Sequence, residues 1–139
     1  MWRHITAIRR VDATAGQEAE RQRKAAKRSE RRALVFLARQ LNEVQRSEFR
    51  TFRYFHVTGG KSGDRYLIRP DKAANIDVLL ADGRTKHRLC ASPVGVPLYA
   101  MMAAQLLYLQ DPESEQRFLR RAKVHPDPTV FPGLPGIIQ

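Results

Sequence analysis

Apolar residues along the first third of the chain recur at helical spacing only late. Leu34, Leu37, Leu41 and Val44 fall every three or four residues, opposite Arg39, Arg46 and Arg50. Upstream, Ala25, Ala26, Ser29 and Ala33 occupy the corresponding side and offer little surface to bury. Residues 15–48 are rich in Ala, Glu, Gln, Arg and Leu and contain no proline. The pattern predicts one long helix over this span, capped at Asp12 or Thr14. Its C-terminal half packs and its N-terminal half projects.

The period changes at Phe49. Residues 49–58 are aromatic and β-branched and read as a first strand. A turn cluster, Gly59-Gly60-Lys61-Ser62-Gly63-Asp64, separates it from a second strand at 65–69 that Pro70-Asp71 stops. A third strand is expected at 76–80 and a fourth at 85–90, joined by the hairpin signal Asp82-Gly83. The four form an antiparallel meander with Tyr66, Ile68, Ile76, Val78 and Leu80 on one face.

Helical periodicity then returns. Pro97 opens a helix whose Leu98, Met101, Met102, Gln105, Leu106 and Leu109 lie over the sheet, the two Met as core filling. Asp111-Pro112-Glu113 starts a second helix to about Lys123, with Phe118 and Leu119 inward. Residues 126–139 carry four prolines and two glycines, which excludes helix and central strand. Val130, Phe131, Leu134, Ile137 and Ile138 in this tail need a surface, and a neighbouring chain is the favoured one. The expected class is α+β: a basic helical arm at 1–48, a body at 49–125 with a meander of three or four strands and two helices, and an extended tail at 126–139.

Composition sharpens the picture through charge. The 139 residues have a formal net charge of +11, but residues 1–53 contribute +8 and residues 93–139 contribute zero. Seven of the twelve residues at 21–32 are basic: Arg21, Arg23, Lys24, Lys27, Arg28, Arg31 and Arg32. They cover about half of the helix circumference at 100° per residue. Two readings stand side by side: a solvated helix with intrahelical ion pairs, or an arm that follows a phosphate backbone or an acidic partner. The run has no interleaved aromatics, so binding to nucleic acid is expected to be independent of sequence. It also lacks the bulky apolar face of a membrane-surface helix, and no apolar run is long enough to span a bilayer.

No reaction is legible. Gly59-Gly60-Lys61-Ser62 looks like the end of a phosphate-binding loop, but Phe55 stands where that motif needs its first glycine, and strand-like sequence follows. Lys61 is kept as one additional phosphate contact. His4, His56, His87 and His125 are scattered; His87 and Cys90 lack a second ligand pair, so no metal or other cofactor is expected. His87 is expected at the surface and Cys90 as a small buried apolar residue. No acid–base pair is marked, and no catalytic residue is assigned. A single cysteine permits no internal disulfide, and Met1-Trp2-Arg3-His4-Ile5 does not read as a secretory signal. The expected location is the cytoplasm or a particle assembled there.

Residues 52–126 resemble a small uncharacterised module of bacterial and prophage-derived proteins. The resemblance rests on Gly63-x-Arg65-Tyr66-x-Ile68, Asn75-Ile76, Gly83, Leu89-Cys90, Val96-Pro97 and Met101-x-Ala103-Ala104-Gln105. It covers roughly half of the chain and implies a phage-like context without an activity. The expectation is a non-enzymatic structural or assembly protein of a phage-like particle or other large complex, with protein neighbours and a basic helix facing nucleic acid or an acidic surface. A sequence-nonspecific nucleic-acid-binding accessory protein is the alternative, and a small enzyme is a distant third.

Overall fold

The computed structural model describes residues 2–91 and 95–126, and side chains within 14–91 and 95–125. In chain order the elements are α1 (Trp2–Gln40), α2 (Glu43–Phe52), β1 (Phe55–Thr58), β2 (Arg65–Ile68), β3 (Ile76–Leu79), β4 (Thr85–Cys90), α3 (Leu98–Gln110), α4 (Glu115–Arg121) and β5 (Lys123–Pro126). The five strands form one antiparallel sheet in sequence order, β1-β2-β3-β4-β5. The class is α+β, as expected, with one more strand than the pattern indicated.

Helix α3 is the centre of the packing. It is apolar nearly all round and is covered by the sheet on one side and by α1 on the other. Met102, Ala103, Leu106 and Leu109 are fully buried, together with Phe55, Ile68 and Ile76 from the sheet and Leu37 from α1. Two buried amides lock α3 to the turn before β3. Asn75 Nδ2 donates to Gln105 Oε1 at 2.7 Å, and Gln105 Nε2 donates to Asn75 Oδ1 at 3.0 Å. Both amides are satisfied without water, which removes the cost of burying them.

The expected single helix over 15–48 is two helices. α1 extends back to Trp2 and ends at Gln40, and α2 starts after Asn42. Asn42 and Gln45 form a capping box: Asn42 Oδ1 accepts from the Gln45 amide at 2.8 Å, and Gln45 Oε1 accepts from the Asn42 amide at 3.0 Å. Arg46 reaches back to donate to the Leu41 carbonyl at 3.1 Å, near the end of α1. The break turns the chain, so Leu34, Leu37 and Leu41 dock while Val44 is 73% exposed.

Other boundaries shift for related reasons. Residues 49–52 are helical rather than strand, because Gln45 and Phe49 bury one turn apart on α2. β1 therefore begins only at Phe55. Leu80 lies past the end of β3 and is exposed, whereas Tyr66, Ile68, Ile76 and Val78 share the buried face as expected. His87 is half-buried and pairs with Val78 rather than lying at the surface, and burial followed by the Lys86 charge lowers its pKa. Cys90 is only half-buried, on the partly open face opposite the core. Lys123, the expected end of the last helix, starts β5 instead.

Leu37 joins α1 to α3. Leu37→Ala should cost about 2–5 kcal/mol of unfolding free energy, read as a lower urea midpoint at unchanged slope.

Candidate nucleic-acid interface

Every described side chain from residue 14 to residue 28 is exposed, so the first part of α1 stands off the body. Contact begins at Ser29 and Glu30. Glu30 Oε1 accepts from the Tyr99 amide at 3.0 Å. This amide lies in the first turn of α3, where Pro97 supplies no side-chain cap. The arm is therefore rooted by a carboxylate that caps the helix it docks on, followed by Ala33, Leu37 and Leu41 in the core.

Arg21, Arg23, Lys24, Lys27, Arg28, Arg31 and Arg32 are all exposed, on one continuous helix. Arg23 meets Glu20 at 2.8 Å, one helical turn away, and Arg32 donates to Ser29 Oγ at 3.5 Å. Among the described residues, Arg23 is the one basic residue of the seven in an ion pair. The solvated-face reading expected a few such pairs; one is present among the described residues. From residue 14 to residue 32 the helix is roughly 27 Å long at about 1.5 Å per residue.

Lys61 lies elsewhere, on the β1–β2 turn. Its Nζ is exposed and lies 3.4 Å from Gln116 Oε1 of α4. The turn around it does hold an anion, but one from the protein itself. Glu115, fully buried at the start of α4, accepts from the Lys61 amide at 3.0 Å, the Ser62 amide at 2.8 Å, Ser62 Oγ at 2.5 Å and Tyr66 Oη at 2.6 Å. Burial pushes the Glu115 carboxyl up. The hydrogen bonds from Ser62 and Tyr66 and from the two amides outweigh it and hold the carboxyl below its usual range. Burial first, and then the bond to Glu115, push the Tyr66 hydroxyl well above the usual phenol range. Gly59 and Gly60 are required by this packing. A Cβ on Gly59 would overlap the Glu115 carboxylate, and one on Gly60 the backbone of Gln110 and Pro112.

Three further features went unread in the sequence. Asp77 is buried on the sheet face away from the helices, where Arg69 Nε and Arg88 Nε each meet it at 3.2 Å and Thr85 Oγ1 at 3.3 Å. His56 Nδ1 lies 2.6 Å from Glu48 Oε2. Phe52, Tyr54 and His56 line up along the β1 edge. The tail residues Val130, Phe131, Leu134, Ile137 and Ile138 lie outside the described residues. Among the described residues no helix is long and apolar enough to cross a membrane.

A scan against protein-family models, a search of curated proteins and a search of solved structures each found no match.

Glu115 titrates lower in the folded chain than in the unfolded one. Its contribution to stability is thus present above the ordinary carboxylate range and is lost as pH falls through and below that range. Glu115→Gln should destabilise by about 1–3 kcal/mol at neutral pH. The gap to the wild type in urea unfolding should narrow as the pH is lowered below the ordinary carboxylate range.

Proposed function

We propose that this chain is a non-enzymatic assembly protein of a phage-like particle or other large complex, whose α1 arm lies along the phosphate backbone of nucleic acid. The observation that carries this reading is the exposed run from Arg21 to Arg32, with Arg23 alone of its bases paired to an acid among the described residues. Bases displayed on a free helix displace counterions from a polyanion, and that release drives binding without reading base edges. Rooting the helix through Glu30 and Leu37 fixes the exposed basic segment to the body.

The phage-like setting rests on the resemblance of residues 52–126, and the assembly role on the apolar tail. A sequence-nonspecific accessory protein uses the same arm without the neighbours. The two readings part at the tail: removing residues 127–139 should abolish self-association or capture into particles while leaving duplex affinity intact. Sedimentation of the full and shortened chains checks this, and an unchanged association state favours the accessory reading.

For the arm, duplex affinity is measured against salt concentration. Replacing Arg23, Lys24, Lys27, Arg28 and Arg31 with Ala should flatten the slope of log affinity on log salt by up to about 4.5. An unchanged slope sinks the arm.

A further inference from the structure

We propose that the sheet face turned away from α3 is a second nucleic-acid site, specific for single strands. This rests on the reading of the protein as a nucleic-acid binder, but it uses a different surface and a different chemistry.

The register defines the face. His56 pairs with Leu67, Leu67 with Asp77, Asp77 with Arg88, and Arg88 with His125, so these five side chains cross the sheet in one row. Arg65, Arg69, Cys90 and Lys123 flank the row on the same side. No described helix covers this row, since α3 packs on the opposite side and α2 sits at the β1 edge. Four cations therefore share a sheet surface with one strand acid, Asp77, which is buried and which orients Arg69 and Arg88. Other acids lie at the rim: Asp71 is paired with Arg69, Glu48 is hydrogen-bonded to His56, Glu43 lies in the first turn of α2, and Asp64 precedes Arg65 at the start of β2.

The β1 edge adds what the arm lacks. Phe52 and Tyr54 are stacked, with centroids 5.0 Å apart and planes within 6°, and His56 meets Tyr54 edge-on at 6.1 Å. Phe52 is 57% exposed, so an aromatic surface is open to solvent at the end of this ladder. Glu48 fixes the His56 ring through Nδ1. A groove of about 290 Å³ runs between His56 and α2, bordered by Thr58 and Arg65 on the sheet and by Val44, Gln45 and Glu48 on the helix. Aromatic rings next to a cationic track are the combination that holds unpaired bases, which stack on the rings while the backbone follows the charges. Paired bases keep their faces inside a duplex and gain nothing from such rings.

The test uses the full chain with a fluorescein-labelled oligothymidylate and a duplex of equal length. The double variant Phe52→Ala/Tyr54→Ala should lose about tenfold or more in single-strand affinity. Its duplex affinity should stay within about twofold, because the arm carries that binding. Tyr54→Phe keeps the ring and should bind single strands like the wild type. Photocrosslinking the unmodified chain to a bromodeoxyuridine oligonucleotide should label the peptide containing residues 52–56, a readout that needs no variant. Unchanged single-strand affinity in the double variant, equal loss on both probes, or crosslinks confined to residues 14–32 would each overturn the proposal while leaving the arm standing. Failure of the arm instead shows as an unchanged duplex salt slope in the five-Ala variant.

Discussion

Helix α3 has almost no polar face to give to water, and the rest of the chain is arranged to answer that. A helix apolar nearly all round needs cover on most of its surface, although Tyr108 stays exposed. The meander covers one flank, α1 covers another, and Asn75 takes the single internal amide that α3 presents, Gln105. The sheet, used up on its α3 side, keeps its other face partly open. The packing of α1 on α3 also decides where the arm begins, because burial on α1 starts at Ala33 and fades before Arg28. The buried core and the exposed basic segment are thus set by one demand for cover.

The β1–β2 turn shows how a motif changes meaning once a fold surrounds it. Two glycines, a lysine and a serine are the vocabulary of phosphate binding. Here the Lys61 and Ser62 amides and the Ser62 hydroxyl close on the carboxylate of Glu115, more than fifty residues away in sequence. The physics is the same, an anion held by converging donors, but the anion is a side chain and the result is structural. The turn thereby ties the β1–β2 hairpin to the start of α4.

Local pattern in the sequence was a good guide wherever a single signal governed a segment. β4 has the bounds its residues suggested, and the α3 stripe buries as its spacing required. It misled where two signals overlapped. The stripe through Val44 looked continuous, yet Asn42 and Gln45 carried a capping box that ends one helix and begins another. The aromatics at 49–52 suggested strand, yet Phe49 is buried on α2 beside Phe55 and Tyr99. β5 was missed because four residues ending in a proline take strand form only by pairing with β4. For the interface, the cluster of bases was plain in the sequence. Asp77 and the ring ladder were not, since strand register alone decides which side chains share a face.

Glu30 gives the arm a mechanical character. The helix runs unbroken from the free basic segment, past the carboxylate that grips α3, into the core. No loop intervenes between residues 14 and 40 to act as a joint. Whatever the arm touches is held at a set distance and bearing from the sheet, like an object at the end of a lever. A pull on the distal end is felt at Tyr99 and Leu37 rather than absorbed by slack chain, so it becomes torque on the core.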